Sequence, residues 1–107
     1  MAKCSTVDPV LTRFRVALAE MYGPALDRAV LFGSRARGEA APGSDYDIAV
    51  FLNTMTSRRA EWHRLADLRL QFLDAGAPFL EAIPFLASDY ERRTPLMHEI
   101  RRDGLTI

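Results

Sequence analysis

The sequence predicts an α/β (α+β) domain: a small mixed β-sheet with helices packed on it. Apolar residues between 10 and 22 recur at three- and four-residue steps, the spacing of one helix face. Three short runs rich in β-formers, 28–32, 46–52 and 79–86, are bounded by turn residues. These runs alternate with helical stretches, an order that layers helices on a sheet.

The elements follow in order. Asp8-Pro9 opens the first helix, with Asp8 as N-cap and Pro9 at the first helical position. Its stripe is Val10, Leu11, Phe14, Ala17, Leu18, Met21 and Tyr22, and Gly23-Pro24 stops it. Arg28 to Phe32 is the first strand. Ser34 to Ala41 reads as a one- or two-turn helix, and Pro42-Gly43-Ser44 as a loop. Tyr46 to Leu52 is the second strand. Ser57 caps a long helix ending near Gly76, with Trp62, Leu65, Ala66, Leu68, Phe72 and Leu73 on its buried side. Phe79 to Leu86 is the third strand, and Pro84 suits an edge position because proline cannot donate to a ladder. Ser88 and Glu91 fit a capping box. Thr94-Pro95 starts a last helix that runs to Asp103 and stops at Gly104, and Leu105-Thr106-Ile107 adds a short strand.

The 107 residues fit one domain, 1–107, and 49% of them are apolar, enough for a core. Fourteen basic residues balance fourteen acidic ones, so the basic excess of a nucleic-acid backbone binder is missing. The single cysteine, Cys4, cannot pair within the chain, which suits a reducing compartment. No apolar run approaches the ~20 residues that cross a bilayer, and residues 1–8 do not read as a signal peptide. The expectation is a cytoplasmic protein with no membrane and no direct nucleic-acid partner.

The chemistry concentrates between residues 33 and 47. Asp45 and Asp47 lie two apart at the start of an otherwise apolar strand, so they project from one face. Paired carboxylates repel unless a cation lies between them, and hard oxygen ligands suit Mg²⁺. Alone, Asp-x-Asp is an ordinary polar start to a strand. Upstream, however, Gly33-Ser34 follows the first strand directly and opens a short helix, where unpaired N–H groups favour a phosphate. Gly33 lets the backbone approach a ligand closely, and the Ser34 hydroxyl adds a donor. A phosphate cradle then faces a metal platform. Arg35, beside Ser34, is a candidate phosphate ligand, whereas Arg37 reads as surface. His63, His98 and Trp62 read as packing, and the pairs Arg58-Arg59, Arg92-Arg93 and Arg101-Arg102 as solvated helix ends or a partner interface.

These residues carry a resemblance. Gly33-Ser34, ten residues, then Asp45-Tyr46-Asp47 is similar to the Gly-Ser-(ten residues)-Asp-x-Asp pattern of the polymerase-β-like nucleotidyltransferase superfamily. The surrounding Leu-Phe-Gly-Ser-Arg-Ala-Arg-Gly-Glu-Ala and Gly-Ser-Asp-Tyr-Asp-Ile-Ala-Val resemble its minimal nucleotidyltransferase branch. The resemblance implies a nucleotidyltransferase fold and attack by an acceptor hydroxyl on the α-phosphate of a nucleoside triphosphate. It implies two Mg²⁺ ions, held by Asp45, Asp47 and a third carboxylate on a neighbouring strand. Glu81 matches that third position by order, with Glu where Asp is commoner; otherwise it is an edge-strand acid facing water. Gly33, Ser34 and Arg35 would bind the nucleotide, with ATP as substrate.

Larger members of the superfamily recognise the acceptor with a second domain, so here acceptor choice is expected from a partner or from homo- or hetero-oligomers. Proteins of this branch are commonly antitoxins of HEPN-domain toxins and transfer AMP to a toxin tyrosine. The alternatives are a non-catalytic, nucleotide-sensing antitoxin acting by contact and a transferase for a small molecule such as an antibiotic.

Overall fold

A computed structural model describes residues 3–4, 8–39, 45–74 and 79–107. It begins with a strand, β1, Lys3–Cys4, which the polar N-terminal sequence does not lead one to expect. Helix α1 covers Pro9–Tyr22. The Asp8 carboxylate accepts the Val10 N–H at 2.9 Å, as an N-cap must, and Gly23 ends the helix. One 3₁₀ turn, Gly23–Ala25, leads into strand β2, Leu26–Phe32, which starts two residues before the expected position. Strand β3 is Tyr46–Leu52, helix α2 Arg58–Asp74 and strand β4 Leu80–Leu86. A second 3₁₀ turn, Ala87–Glu91, precedes α3, Pro95–Asp103, and β5, Leu105–Thr106.

The described strands form one mixed sheet in the order β1-β5-β2-β3-β4. β2 and β3 pair antiparallel, and β3 and β4 pair parallel across the α2 crossover. β5 runs antiparallel to β2, with β1 parallel to β5 outside it. Two residues of β1 are too few for a hydrophobic pattern; their pairing with β5 supplies what their sequence does not signal. Pro84 lies on edge strand β4, as its missing N–H requires.

Alternation along the strands separates two apolar layers. On one face Ala29, Leu31, Tyr46, Ile48, Val50, Leu52, Leu80 and Ala82 pack with Leu11, Phe14 and Leu18 of α1 and Leu65 and Leu68 of α2. On the other, Val30, Phe32, Ala49, Phe51 and Phe85 pack with Tyr90 and with Met97 and Ile100 of α3. Phe51 stacks on Phe85 at 5.6 Å and meets Tyr90 edge-on at 5.4 Å, contacts worth about 0.5–1.5 kcal/mol each beyond their burial.

Several expected positions shift. Only Leu65 and Leu68 of α2 are buried outright and Phe72 partly, while Trp62 and Leu73 are 42% and 46% exposed. Trp62 and Leu73 lie about 60–80° around the helix from Leu65, past the strip that one sheet face covers. His63 is exposed rather than packed. Ser88 and Glu91 form no capping box; the Asp89 carboxylate takes the Leu86 N–H at 3.1 Å instead. Thr94 caps α3 through the Met97 N–H, and Ser57 caps α2 through the Ala60 N–H. The expected loop 42–44 and the α2 stop at Gly76 lie outside the described residues. No described helix is long and apolar enough to cross a membrane.

Candidate nucleotidyl-transfer site

The site forms where β2 ends and β3 and β4 begin. Phe32 lies opposite Asp47, and Asp47 lies opposite Glu81 in the parallel register. Paired residues of neighbouring strands share a face, so Asp47 and Glu81 both project on the side that α3 covers. Tyr46, one residue over, points to the α1 side, as alternation demands.

After Phe32 the described part of the expected one- or two-turn helix over 34–41 is a single hydrogen-bonded turn. Arg37 N–H reaches the Gly33 carbonyl, giving one helical turn. Glu39 N–H then bonds the Ser34 carbonyl and Gly38 N–H the Arg35 carbonyl, the paired closure that terminates helices. Gly38, at φ +75°, adopts the left-handed conformation this closure needs. Residues 34–38 are therefore a turn, and 40–41 lie outside the described residues. Any anion affinity there comes from local N–H groups rather than from a helix dipole.

Gly33 takes φ +79°, and a Cβ placed on it would come within 2.6 Å of Asp47 Oδ2. The turn thus presses against the carboxylate with no room for a side chain. Burial comes first, followed by the negative charges of Asp45, Glu81 and Glu99; together they hold the Asp47 carboxyl above the usual aspartate range. Asp45, Asp47 and Glu81 are therefore brought into one electrostatic neighbourhood, and Glu99 of α3 joins them.

The other candidates sit as follows. Ser34 is half-buried at the start of the turn. Arg35 lies over the Tyr46 ring at 4.0 Å, and the Tyr46 hydroxyl donates to Asp8. That places its guanidinium toward the α1 side in this structure. Arg37 is exposed, as expected, and makes surface ion pairs with Glu39 at 2.9 Å and Glu99 at 3.3 Å. Beside it a cleft of about 240 Å³ is lined by Ala36, Arg37, Arg102, Asp103, Gly104 and Leu105. Glu81 does not simply face water, since Arg69 Nη1 donates to its Oε2 at 3.0 Å.

Among the described residues, no three His, Cys, Asp or Glu side chains are gathered closely enough to hold a metal ion. The donor chemistry nonetheless suits a hard divalent cation. Asp45, Asp47, Glu81 and Glu99 supply only oxygen, and their mutual repulsion at Asp47 is what a cation would relieve.

Sequence reasoning missed Glu99 and Arg69. Glu99 carries no local signal, because only the packing of α3 across the sheet brings it near Asp47. Arg69 offered one: it follows buried Leu68 and lies four residues beyond buried Leu65, a charge at the margin of the apolar face.

The fold is a mixed sheet with helices on both faces, and it sets a glycine turn against the Asp47 carboxylate with the charges of Asp45, Glu81 and Glu99 around it. A family model described as "Nucleotidyltransferase domain" matches residues 11–94, and the chain belongs to that family. It is also similar to a Methanocaldococcus jannaschii protein provisionally named a protein adenylyltransferase, 35% identical over 65 residues. That match takes in 60% of this chain and 44% of the relative, so this chain spans less than half of the relative's length. Among solved structures, a chain of a toxin-antitoxin complex with AMP-PNP has a TM-score of 0.61 at 22% identity, covering 88% of this chain and 69% of that one. A mutant of the toxin-antitoxin MntA-HpeT has a TM-score of 0.60 at 20% identity, with coverage of 88% and 69%. These likenesses establish the nucleotidyltransferase-like fold.

Proposed function

We propose that this chain is a Mg²⁺-dependent nucleotidyltransferase that moves AMP from ATP onto a hydroxyl of a partner protein. In this reading residues 1–107 act as one minimal domain in the cytoplasm, as the antitoxin of a HEPN-type toxin. The observation that carries it is the Gly33 turn, which leaves no space for a Cβ against Asp47 while Asp45 and Glu81 flank that carboxylate.

Gly33 and Ser34 would bind the β- and γ-phosphates, with the backbone close to them because Gly33 has no side chain. Asp45 and Asp47 would hold one Mg²⁺, and with Glu81 a second, and such ions neutralise the charge on the attacking and leaving oxygens. The acceptor oxygen bonds to the α-phosphorus as the bond to the departing pyrophosphate breaks. Its proton passes to a carboxylate, for which Glu81 is the candidate. The protein's part is placement and charge, not covalent catalysis. Arg35 would join the nucleotide by leaving the Tyr46 ring. The adenylyltransferase relative and the AMP-PNP complex support ATP, and the toxin-antitoxin structures support a toxin partner.

A second reading, a nucleotide-sensing antitoxin that neutralises its partner by contact, draws on the Arg69–Glu81 pair and the Arg35–Tyr46 stack. Both engage residues that catalysis would need. Mass spectrometry of the co-purifying protein separates the two. Transfer predicts the added mass of an adenylyl group on a hydroxyl side chain; an unmodified partner in a stable complex supports contact alone. Calorimetry that detects no Mg²⁺-dependent ATP binding removes both.

A further inference from the structure

Glu81 stands on β4, the edge of the sheet among the described residues, with no further described strand outside it. A carboxylate in that position samples several rotamers unless a partner fixes it. Arg69 reaches it from α2, placing Nη1 at 3.0 Å from Oε2. The guanidinium is itself constrained: it lies over the Phe79 ring at 4.5 Å, and its Nε is buried with no hydrogen-bond partner among the described residues. An unpaired buried N–H is unfavourable, so the arginine keeps this placement against a cost.

We infer that Arg69 is a positioning residue for nucleotidyl transfer: it takes one oxygen of Glu81 and leaves the other for the site beside Asp47. The inference rests on the nucleotidyltransferase reading. It also gives the glutamate a physical reason. An aspartate in its place would be one methylene shorter, and its carboxylate would not reach both Arg69 and the space next to Asp47. The longer side chain spans the two, and the arginine removes the freedom that the extra torsion brings.

The test compares wild type, Arg69→Gln, Arg69→Lys, Glu81→Asp, the Arg69→Gln/Glu81→Asp double variant and Asp47→Asn. Transfer of label from α-³²P-ATP to the co-purifying acceptor is followed at saturating Mg²⁺. Arg69→Gln is expected to lower kcat tenfold or more with KM for ATP within twofold of wild type, because Glu81 serves the acceptor rather than the triphosphate. Arg69→Lys should recover part of the loss, and the double variant should be no slower than the slower single variant. A readout free of turnover comes from urea midpoints in EDTA, with Glu81→Ala as the background that removes the pair: Arg69→Gln lowers the midpoint more when Glu81 is present than in that background. A kcat within twofold of wild type for Arg69→Gln, with Asp47→Asn inactive, overturns the inference alone. Equal midpoint losses in both backgrounds also overturn it. If wild type transfers nothing, the nucleotidyltransferase reading falls, and the urea midpoints still decide whether Arg69 and Glu81 act as a pair.

Discussion

Replacing Gly33 by alanine puts a methyl group 2.6 Å from Asp47 Oδ2, roughly 1 Å inside ordinary contact. The backbone at φ +79° adds the left-handed cost of an L-residue, about 1–2 kcal/mol, or about 5–10 °C in Tm for a domain of this size. Gly38 supplies the control. Its φ is +75°, yet nothing lies within 4 Å of its would-be Cβ, so Gly38→Ala carries the same backbone cost without the collision. Both variants should therefore show this backbone loss in thermal melts, with the collision adding to it only in Gly33→Ala. Only Gly33→Ala displaces the carboxylate, and a misplacement of about 1 Å can cost on the order of 100-fold in rate. The assay is AMP transfer from labelled ATP, read beside Tm. Gly33→Ala should lose about 100-fold in kcat/KM, with Gly38→Ala within a few-fold of wild type. Equal activity losses in the two variants would refute the claim that the turn and Asp47 form one site.

Asp47→Asn should raise the urea midpoint in EDTA at neutral pH while abolishing transfer. The folded-state carboxyl is shifted upward, so its ionised form opposes folding, and the gain should fade as pH falls through the carboxylate range and wild-type Asp47 protonates. Tyr46→Phe removes a donor to Asp8, the residue that also caps α1, and should cost about 1 kcal/mol by chemical denaturation. The tyrosine hydroxyl, pushed up to about 12 mainly by burial and then by Asp8, should titrate late in an ultraviolet pH scan. Leu65→Ala, at 1% exposure, should cost about 2–5 kcal/mol, whereas Leu70→Gln, at 55% exposure, should stay within about 0.5 kcal/mol; the reverse order would mean α2 faces the other way.

Much of this arrangement is legible in the residues. Asp8-Pro9 and Thr94-Pro95 mark helix starts through local backbone chemistry, and each works as its residue type requires. Gly104 follows the last helix in an extended conformation, φ −66°, and is needed for space, since a Cβ would collide with the Ile100 carbonyl and Val30. The site's centre is legible in part: strand register sets Asp47 opposite Glu81, whereas Asp45 sits exposed just before β3, so the strand spacing does not fix its direction. What is not legible depends on distant packing. The buried strip of α2 is narrower than its apolar pattern suggests, since Trp62 and Leu73 are as apolar as Leu65 and only the width of the sheet decides which are covered. The short helix expected over 34–41 is, in its described part, a single turn closed at Gly38, whose φ is positive. Glu99 reaches the carboxylates from a helix remote in sequence, and no local pattern announces it, whereas Arg69, on the helix just before β4, shows only as a charge at the margin of the apolar face.

The central claim is that Asp45 and Asp47 serve transfer of a nucleotidyl group and not merely association with a partner. The most direct measurement incubates wild type and Asp45→Asn/Asp47→Asn with Mg²⁺, α-³²P-ATP and the co-purifying protein. On the catalytic reading, wild type labels that protein and the double variant does not, while circular dichroism shows an intact fold. Equal labelling by both proteins, or none by either while the partner stays bound and neutralised, would contradict it.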